Sequence, residues 1–148
     1  MKNDSSQVGF ALQGIKTEQF ALFEDNYSPQ KEVGLGTALQ FKLDQTNKQI
    51  GSYLAFEFIQ AKKIILKLAI SCHFKIQDES WQSFIQAKTH TLVIPKGFLA
   101  HLAMITTGTS RGILFAKTEG TVFSKFIVPV LNVAEMIPED VSFDFAKD

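Results

Sequence analysis

Alternation of apolar and polar positions is the dominant pattern along the chain. It is clearest from Lys63 to Ile76, where Ile64, Leu66, Leu68, Ile70, Cys72, Phe74 and Ile76 share one parity while Lys67, Ala69, Ser71, His73 and Lys75 share the other. A period of two with one mixed face predicts a long antiparallel strand with a wetter side. The preceding run, Ile50 to Ala61, sets Leu54, Phe56 and Phe58 against Tyr53, Glu57 and Ile59, and Thr37, Leu39, Phe41 and Leu43 alternate with Ala38, Gln40, Lys42 and Asp44. The polar breaks Thr46 to Gln49 and Gln60 to Lys63 are short enough for hairpins, so the three strands form an antiparallel meander. An N-terminal strand precedes them. In it Val8, Phe10 and Leu12 alternate, the parity slips before Ile15, and Phe20, Leu22 and Phe23 resume the pattern, which predicts a bulge around Gly14. From Asp25 to Gly36 the text DNYSPQKEVGLG lacks periodicity and carries Pro and Gly, as a crossing loop between strands one and two does.

After the meander, Trp81, Phe84 and Ile85 mark a short helical or irregular patch, and Thr91 to Ile94 a short strand ended by Pro95 and Gly97. From Phe98 the spacing becomes helical, with Phe98, Leu102, Ile105, Gly112, Phe115 and Ala116 near one face. The stretch from Thr106 to Gly112 (TTGTSRG) predicts a helix broken or kinked there. Beyond Gly120 comes an apolar extended piece through Pro129, one helical turn at Val133 to Met136, and an acidic tail. The expectation is one α+β domain over 1–148, with residues 1–7 and 139–148 flexible.

Composition narrows the class. At 148 residues and 16.5 kDa the chain has the length of one domain, and 45% hydrophobic with 20% charged residues is a globular balance. Basic and acidic residues cancel, and Arg111 is the lone arginine, so neither a global field nor guanidinium forks favour nucleic acid. One cysteine, Cys72, excludes an internal disulfide and fits a reducing cytoplasm. Met1 to Gln7 has no apolar core, and no apolar run is long enough to insert into a membrane. The oddity is fourteen Phe against one Trp and two Tyr, an excess of rigid apolar faces on alternating positions.

Reactive chemistry does not assemble. His73, His90 and His101 fall on a strand, a loop and a helix without a ligand at i,i+4, so no metal site is expected. Cys72 lies on the apolar parity, where a thiolate is poorly solvated. Gly34-Leu35-Gly36 lacks the third glycine or the Lys-Ser/Thr of a phosphate loop, and the pairs Asp78-Glu79 and Glu139-Asp140 sit in polar segments. No catalytic constellation results, and the chain reads as a binder rather than an enzyme, with no cofactor.

Two strings then resemble the SecB family of export chaperones: FALQGIKTEQFALFE (Phe10 to Glu24) is similar to its opening strand, and RGILFAKTEGTVFSKFIVPVLNVAEMI (Arg111 to Ile137) to its helix and ending. Within the second, Ile113-Leu114-Phe115-Ala116 is similar to the family's Asn-Ile-Leu-Phe-Pro segment, and Val128-Pro129-Val130-Leu131-Asn132 to its proline- and asparagine-bearing stretch. The resemblance implies a four-stranded sheet with a crossing loop after strand one and a long helix. It also implies a homotetramer, a dimer of dimers, that holds unfolded polypeptide in apolar grooves without ATP. The chain departs from the family in its neutral charge: where export members carry acids that dock the export motor ATPase it has Gln19 and His73, with only Glu18 and Glu24 nearby, so motor docking is poorly supported. The crossing loop also lacks the family's tryptophan, and little chain follows Ile137 for a C-terminal helix. These losses resemble the SecB-like chaperones encoded with toxin-antitoxin systems, whose client is an antitoxin rather than an unfolded preprotein.

The client-binding residues expected are Phe23, Tyr27, Val33 and Leu35 around the crossing loop, Leu39 and Phe41 on strand two, and Ile113 and Phe115 past the helix break. Leu99, Leu102 and Ile105 are expected at the oligomer interface. A carrier of a small hydrophobic ligand is the alternative. It predicts a pocket of limited volume, whereas a holdase predicts a broad apolar surface.

Overall fold

The computed structural model describes residues 8–145; the ends expected to be flexible at 1–7 and 146–148 lie outside the described residues. Four long strands, β1 (Phe10–Leu22), β2 (Gly34–Asp44), β3 (Gln49–Gln60) and β4 (Lys63–Ile76), form one antiparallel sheet in the order β1-β4-β3-β2. The meander and the crossing connection expected from the alternation are both present, and the connection carries a single 3-10 turn at Glu24–Asn26. The class is α+β, as the residues predicted.

Register explains the parity slip in β1. Leu12 pairs with Phe74 and Ile15 with Cys72, so one residue is extra before Gly14, and a second irregularity follows between Thr17 and Gln19. The first bulge moves the apolar face from even to odd positions, and the second returns it to even in time for Phe20 and Leu22. Phe10, Leu12, Ile15, Phe20 and Leu22 of β1 thus face the same side as Leu66, Leu68, Ile70, Cys72, Phe74 and Ile76. The turn from β3 to β4 has only Ala61 and Lys62 between the paired Gln60 and Lys63, and both take positive φ (47° and 65°), the conformation of a type I′ hairpin.

The covered face of the sheet packs against α2 (Lys96–Thr118), which crosses β3 and β4. Phe98, Leu99, Leu102, Ala103 and Leu114 meet Ile50, Leu54, Phe56 and the even positions of β4 in one core. The helix is not broken at Thr106 to Gly112, contrary to the expectation. The hydroxyls of Thr106, Thr107 and Thr109 donate back to the carbonyls of Leu102, Ala103 and Ile105 at 2.7 to 2.9 Å, so they bond within the helix instead of competing with it. Gly108 and Gly112 lie on the outer side, where an added Cβ would meet nothing within 4 Å.

Before α2 come α1 (Asp78–Phe84), which buries Trp81 and Phe84, and the short strands β5 (Ile85–Gln86) and β6 (Thr91–Ile94). After it come α3 (Val133–Met136) and β7 (Val141–Asp144). Strands β5, β6 and β7 form a second, three-stranded sheet. The described part of the expected flexible end, 139–145, is therefore structured: Val141 pairs with Ile94 and Phe143 with Leu92. Asp140 contributes a second tie. Its Oδ1 accepts from the Lys96 N–H at 2.8 Å, capping a helix whose own N-cap, Pro95, supplies no side-chain bond.

Candidate functional site

Two apolar clefts stand out among the described residues. The first is built from the crossing loop outward. Gln60, at the end of β3 and 2% exposed, accepts from the Ser28 N–H and donates to the carbonyls of Ser28 and Lys31, at 2.8, 2.8 and 3.0 Å. Asn26 Nδ2 donates to the Ile64 carbonyl at 2.9 Å, and the Phe23 N–H to the Ile65 carbonyl at 2.8 Å. The loop is thereby fixed so that the Tyr27 ring meets Phe123 (centroids 5.2 Å) and Phe126 (5.9 Å), while Phe126 also meets Phe58 at 5.4 Å. Lys125 lies over the Tyr27 ring at 5.2 Å.

The segment carrying these phenylalanines leaves α2 at Gly120, whose φ of +80° suits glycine, and returns alongside the helix. Arg111 holds it there, Nε donating to the Val128 carbonyl at 2.8 Å and an Nη to that of Pro129 at 3.1 Å. Between segment and helix lies a notch of about 410 Å³ lined by Gly108, Arg111, Gly112, Phe115, Phe126 and Ile127. Phe115 is 64% exposed, Ile127 66% and Val130 93%, with Met104 and Val122 also exposed. An aromatic cluster thus runs from the crossing loop into an open apolar surface.

The second cleft is a slot of about 430 Å³ at the outer edge of the sheet. Leu39, Gln40 and Phe41 of β2 form one wall, and 136–143, from Met136 through Pro138 to Phe143, forms the other. Glu139 and Asp140 stand at its mouth, exposed.

Of the expected client residues, Tyr27 and Phe115 belong to the first cleft region, and Leu39 and Phe41 to the slot. Phe23 and Val33 are exposed beside the crossing loop and Leu35 is half-buried at the start of β2. Ile113 is half-buried against the core, so the two clefts divide the set rather than gathering it. Leu99 and Leu102 are fully buried inside this chain and leave no surface for a second copy, which corrects their expected interface role; Ile105 is half-buried. Helical spacing identified the buried face, and α2 spends that face on its own sheet. Residues that build the clefts without having been expected include Gln60, Arg111, Phe123, Phe126 and Asp140. Only the excess of Phe hinted at two of them.

The open face of the sheet carries a polar cluster at β1 and β4. Ser71, fully buried, donates from Oγ to Glu18 Oε1 at 2.6 Å and lies 2.8 Å from His73 Nε2. One hydroxyl proton cannot serve both partners, so with Glu18 accepting it His73 Nε2 carries the proton and donates to Ser71. That is the wrong tautomer for activating a nucleophile, and the cluster pins the second bulge of β1 to β4. The imidazole is held below its ordinary value by burial, then by the Lys16 charge, with Glu18 opposing. Among the described residues no group of three His, Cys, Asp or Glu could hold a metal ion, and no helix is long and apolar enough to cross a membrane.

The chain matches no protein-family profile and no curated protein. Among solved structures it is similar to the SecB-like chaperone of Mycobacterium tuberculosis in complex with a ChAD peptide from the HigA1 antitoxin, at 12% identity over 83% of this chain and 88% of that one, with a TM-score of 0.47. It is also similar to a protein of unknown function from Streptococcus agalactiae, at 15% identity over 84% of this chain and 98% of that one, with a TM-score of 0.38.

Proposed function

We propose that the protein is an ATP-independent holdase chaperone of the SecB-like kind, which binds unfolded or aggregation-prone polypeptide in its apolar clefts. Its client is an unfolded preprotein on the export route or a dedicated antitoxin, and it works in the cytoplasm as a homotetramer. The observation that carries this reading is the apolar notch whose lining residues Phe115 and Ile127 are both largely exposed. Apolar surface left in water forgoes about 25 cal/mol per Å² of burial, and a patch of this kind on a small domain marks a binding face. The resemblance of Arg111 to Ile137 to the SecB ending falls on the same residues.

Rigid aromatic faces suit a holdase because they give contact area at low entropy cost and little sequence selectivity. The free edge of β1 is the surface on which copies of the chain assemble. Sedimentation of the protein with a permanently unfolded polypeptide, without nucleotide, tests the reading: co-sedimentation is expected, and its absence contradicts it. A carrier of a small hydrophobic ligand is the second reading, favoured by cleft volumes of about 410 and 430 Å³. That reading predicts a lipid-like molecule in organic extracts of the purified protein.

A further inference from the structure

We propose that the notch between α2 and the segment 120–132 binds an alkyl carboxylate, a fatty-acid-like molecule whose head pairs with Arg111 and whose chain lies on Phe115, Phe126 and Ile127. This rests on the carrier reading and names its ligand class, and it does not depend on whether a client is held over the same residues. Arg111 is the lone arginine of the chain and stands half-buried in the lining of the notch. Its Nε donates to the Val128 carbonyl and an Nη to that of Pro129, and among the described residues it makes no other hydrogen bond and no ion pair. A guanidinium has more N–H donors than these two bonds use. A cation drawn partly out of water without a counter-charge is costly, and a carboxylate is the anion that matches the planar fork.

Negative charge is all but absent from both walls. From Lys96 to Asn132 the chain carries Lys96, Arg111, Lys117 and Lys125 against a single acid, Glu119, which lies past the end of α2, about 12 Å along the helix axis from Arg111. Lys125 sits over the Phe126 ring at 5.8 Å and adds positive charge beside the notch. Among the lining side chains Arg111 alone is polar, and Gly108 and Gly112 leave open space where a Cβ would be. The volume of about 410 Å³ is that of a small-ligand site. An alkyl carboxylate gathers its polar atoms at one end, as the lining gathers its polar side chain at one place. A peptide seated in the notch brings backbone N–H and C=O groups along its length, and the helix backbone beside it is already bonded within α2. A second copy across a twofold axis sets two cationic walls against each other.

The test is calorimetric titration of the full chain with decanoate, 1-decanol and decylammonium, each below its micelle concentration. Decanoate is expected to bind about tenfold more tightly than decanol, and decylammonium most weakly. Arg111→Gln, which keeps a donor toward the Val128 carbonyl, is expected to bring decanoate down to the level of decanol. Gly108→Leu, a better helix former that fills the notch, is expected to weaken both about tenfold while the unfolding midpoint does not fall. Equal binding of decanoate and decanol by the wild type, which needs no variant to read, overturns carboxylate selection while the carrier reading stands. So does a preference for decanoate that survives Arg111→Gln, or binding that survives Gly108→Leu. Tighter, Arg111-dependent binding of a short apolar peptide with a free C-terminal carboxylate assigns the notch to a chain end and overturns the alkyl ligand. If none of the three decyl compounds binds, both the proposal and the carrier reading are overturned.

Discussion

Gln60 and Ser28 exchange two hydrogen bonds at 2.8 Å each, the glutamine Oε1 accepting from the serine N–H and its Nε2 donating to the serine carbonyl. One side chain at a strand end thereby substitutes for a strand partner to the crossing loop. A buried amide left without these bonds costs about 1–3 kcal/mol. Replacing Gln60 by Leu is therefore expected to free the loop locally, and trypsin cleavage after the exposed Lys31 should accelerate well before global unfolding. An unchanged cleavage rate would show that Asn26 and the Tyr27 ring contacts hold the loop without Gln60.

The hairpin between β3 and β4 places Ala61 and Lys62 at positive φ, a conformation that costs an ordinary L residue about 1 kcal/mol. Changing the pair to Asn-Gly is expected to raise stability by about 1–2 kcal/mol in denaturant unfolding. A loss would contradict the turn geometry, since only glycine and asparagine are at ease there.

Gly108 and Gly112 lie inside a 23-residue helix with open space where a Cβ would be. Gly112→Ala is expected to stabilise the monomer fold by about 0.5–1 kcal/mol, read as a higher unfolding midpoint. A lower midpoint would contradict the open space at this position.

His73 is held below its ordinary value of 6.5 by burial first and by Lys16 second. The unfolded chain therefore binds the proton more readily than the folded one, and stability is full above that value and falls as pH drops through it. Thermal midpoints from pH 8 to 5 should decline, and His73→Gln, which keeps a donor toward Ser71, should flatten the decline between pH 7 and about 5.5. Asp44 and Asp78 are lowered too, by the Asn47 and Lys48 hydrogen bonds respectively, but they titrate below 3.8 and act only at more acid pH.

The meander was legible because each strand has one buried face, which forces alternation, and even the double bulge of β1 left its mark as a parity slip at Gly14. The unbroken α2 was not legible. Composition alone does not show whether Thr106, Thr107 and Thr109 bond to their own helix or compete with it. The clefts were half legible. Leu39, Phe41, Tyr27 and Phe115 stood out as apolar residues in the right places, whereas Gln60, Arg111 and Asp140 act across separations of 32, 17 and 44 residues, which no local pattern records. Leu99 and Leu102 misled for a related reason: helical spacing reports a buried face without saying whether sheet or second copy buries it.

The most direct test of the central claim is light scattering from a chemically unfolded polypeptide diluted into buffer with the protein and without nucleotide, comparing wild type with the pair Phe115→Ser and Ile127→Ser. The account predicts suppression of aggregation near stoichiometric ratios by the wild type, and a marked loss in the variant at unchanged folded stability, because both side chains are exposed in the chain. Equal suppression by both would contradict the notch as the holding surface, and no suppression by the wild type would contradict the chaperone reading itself.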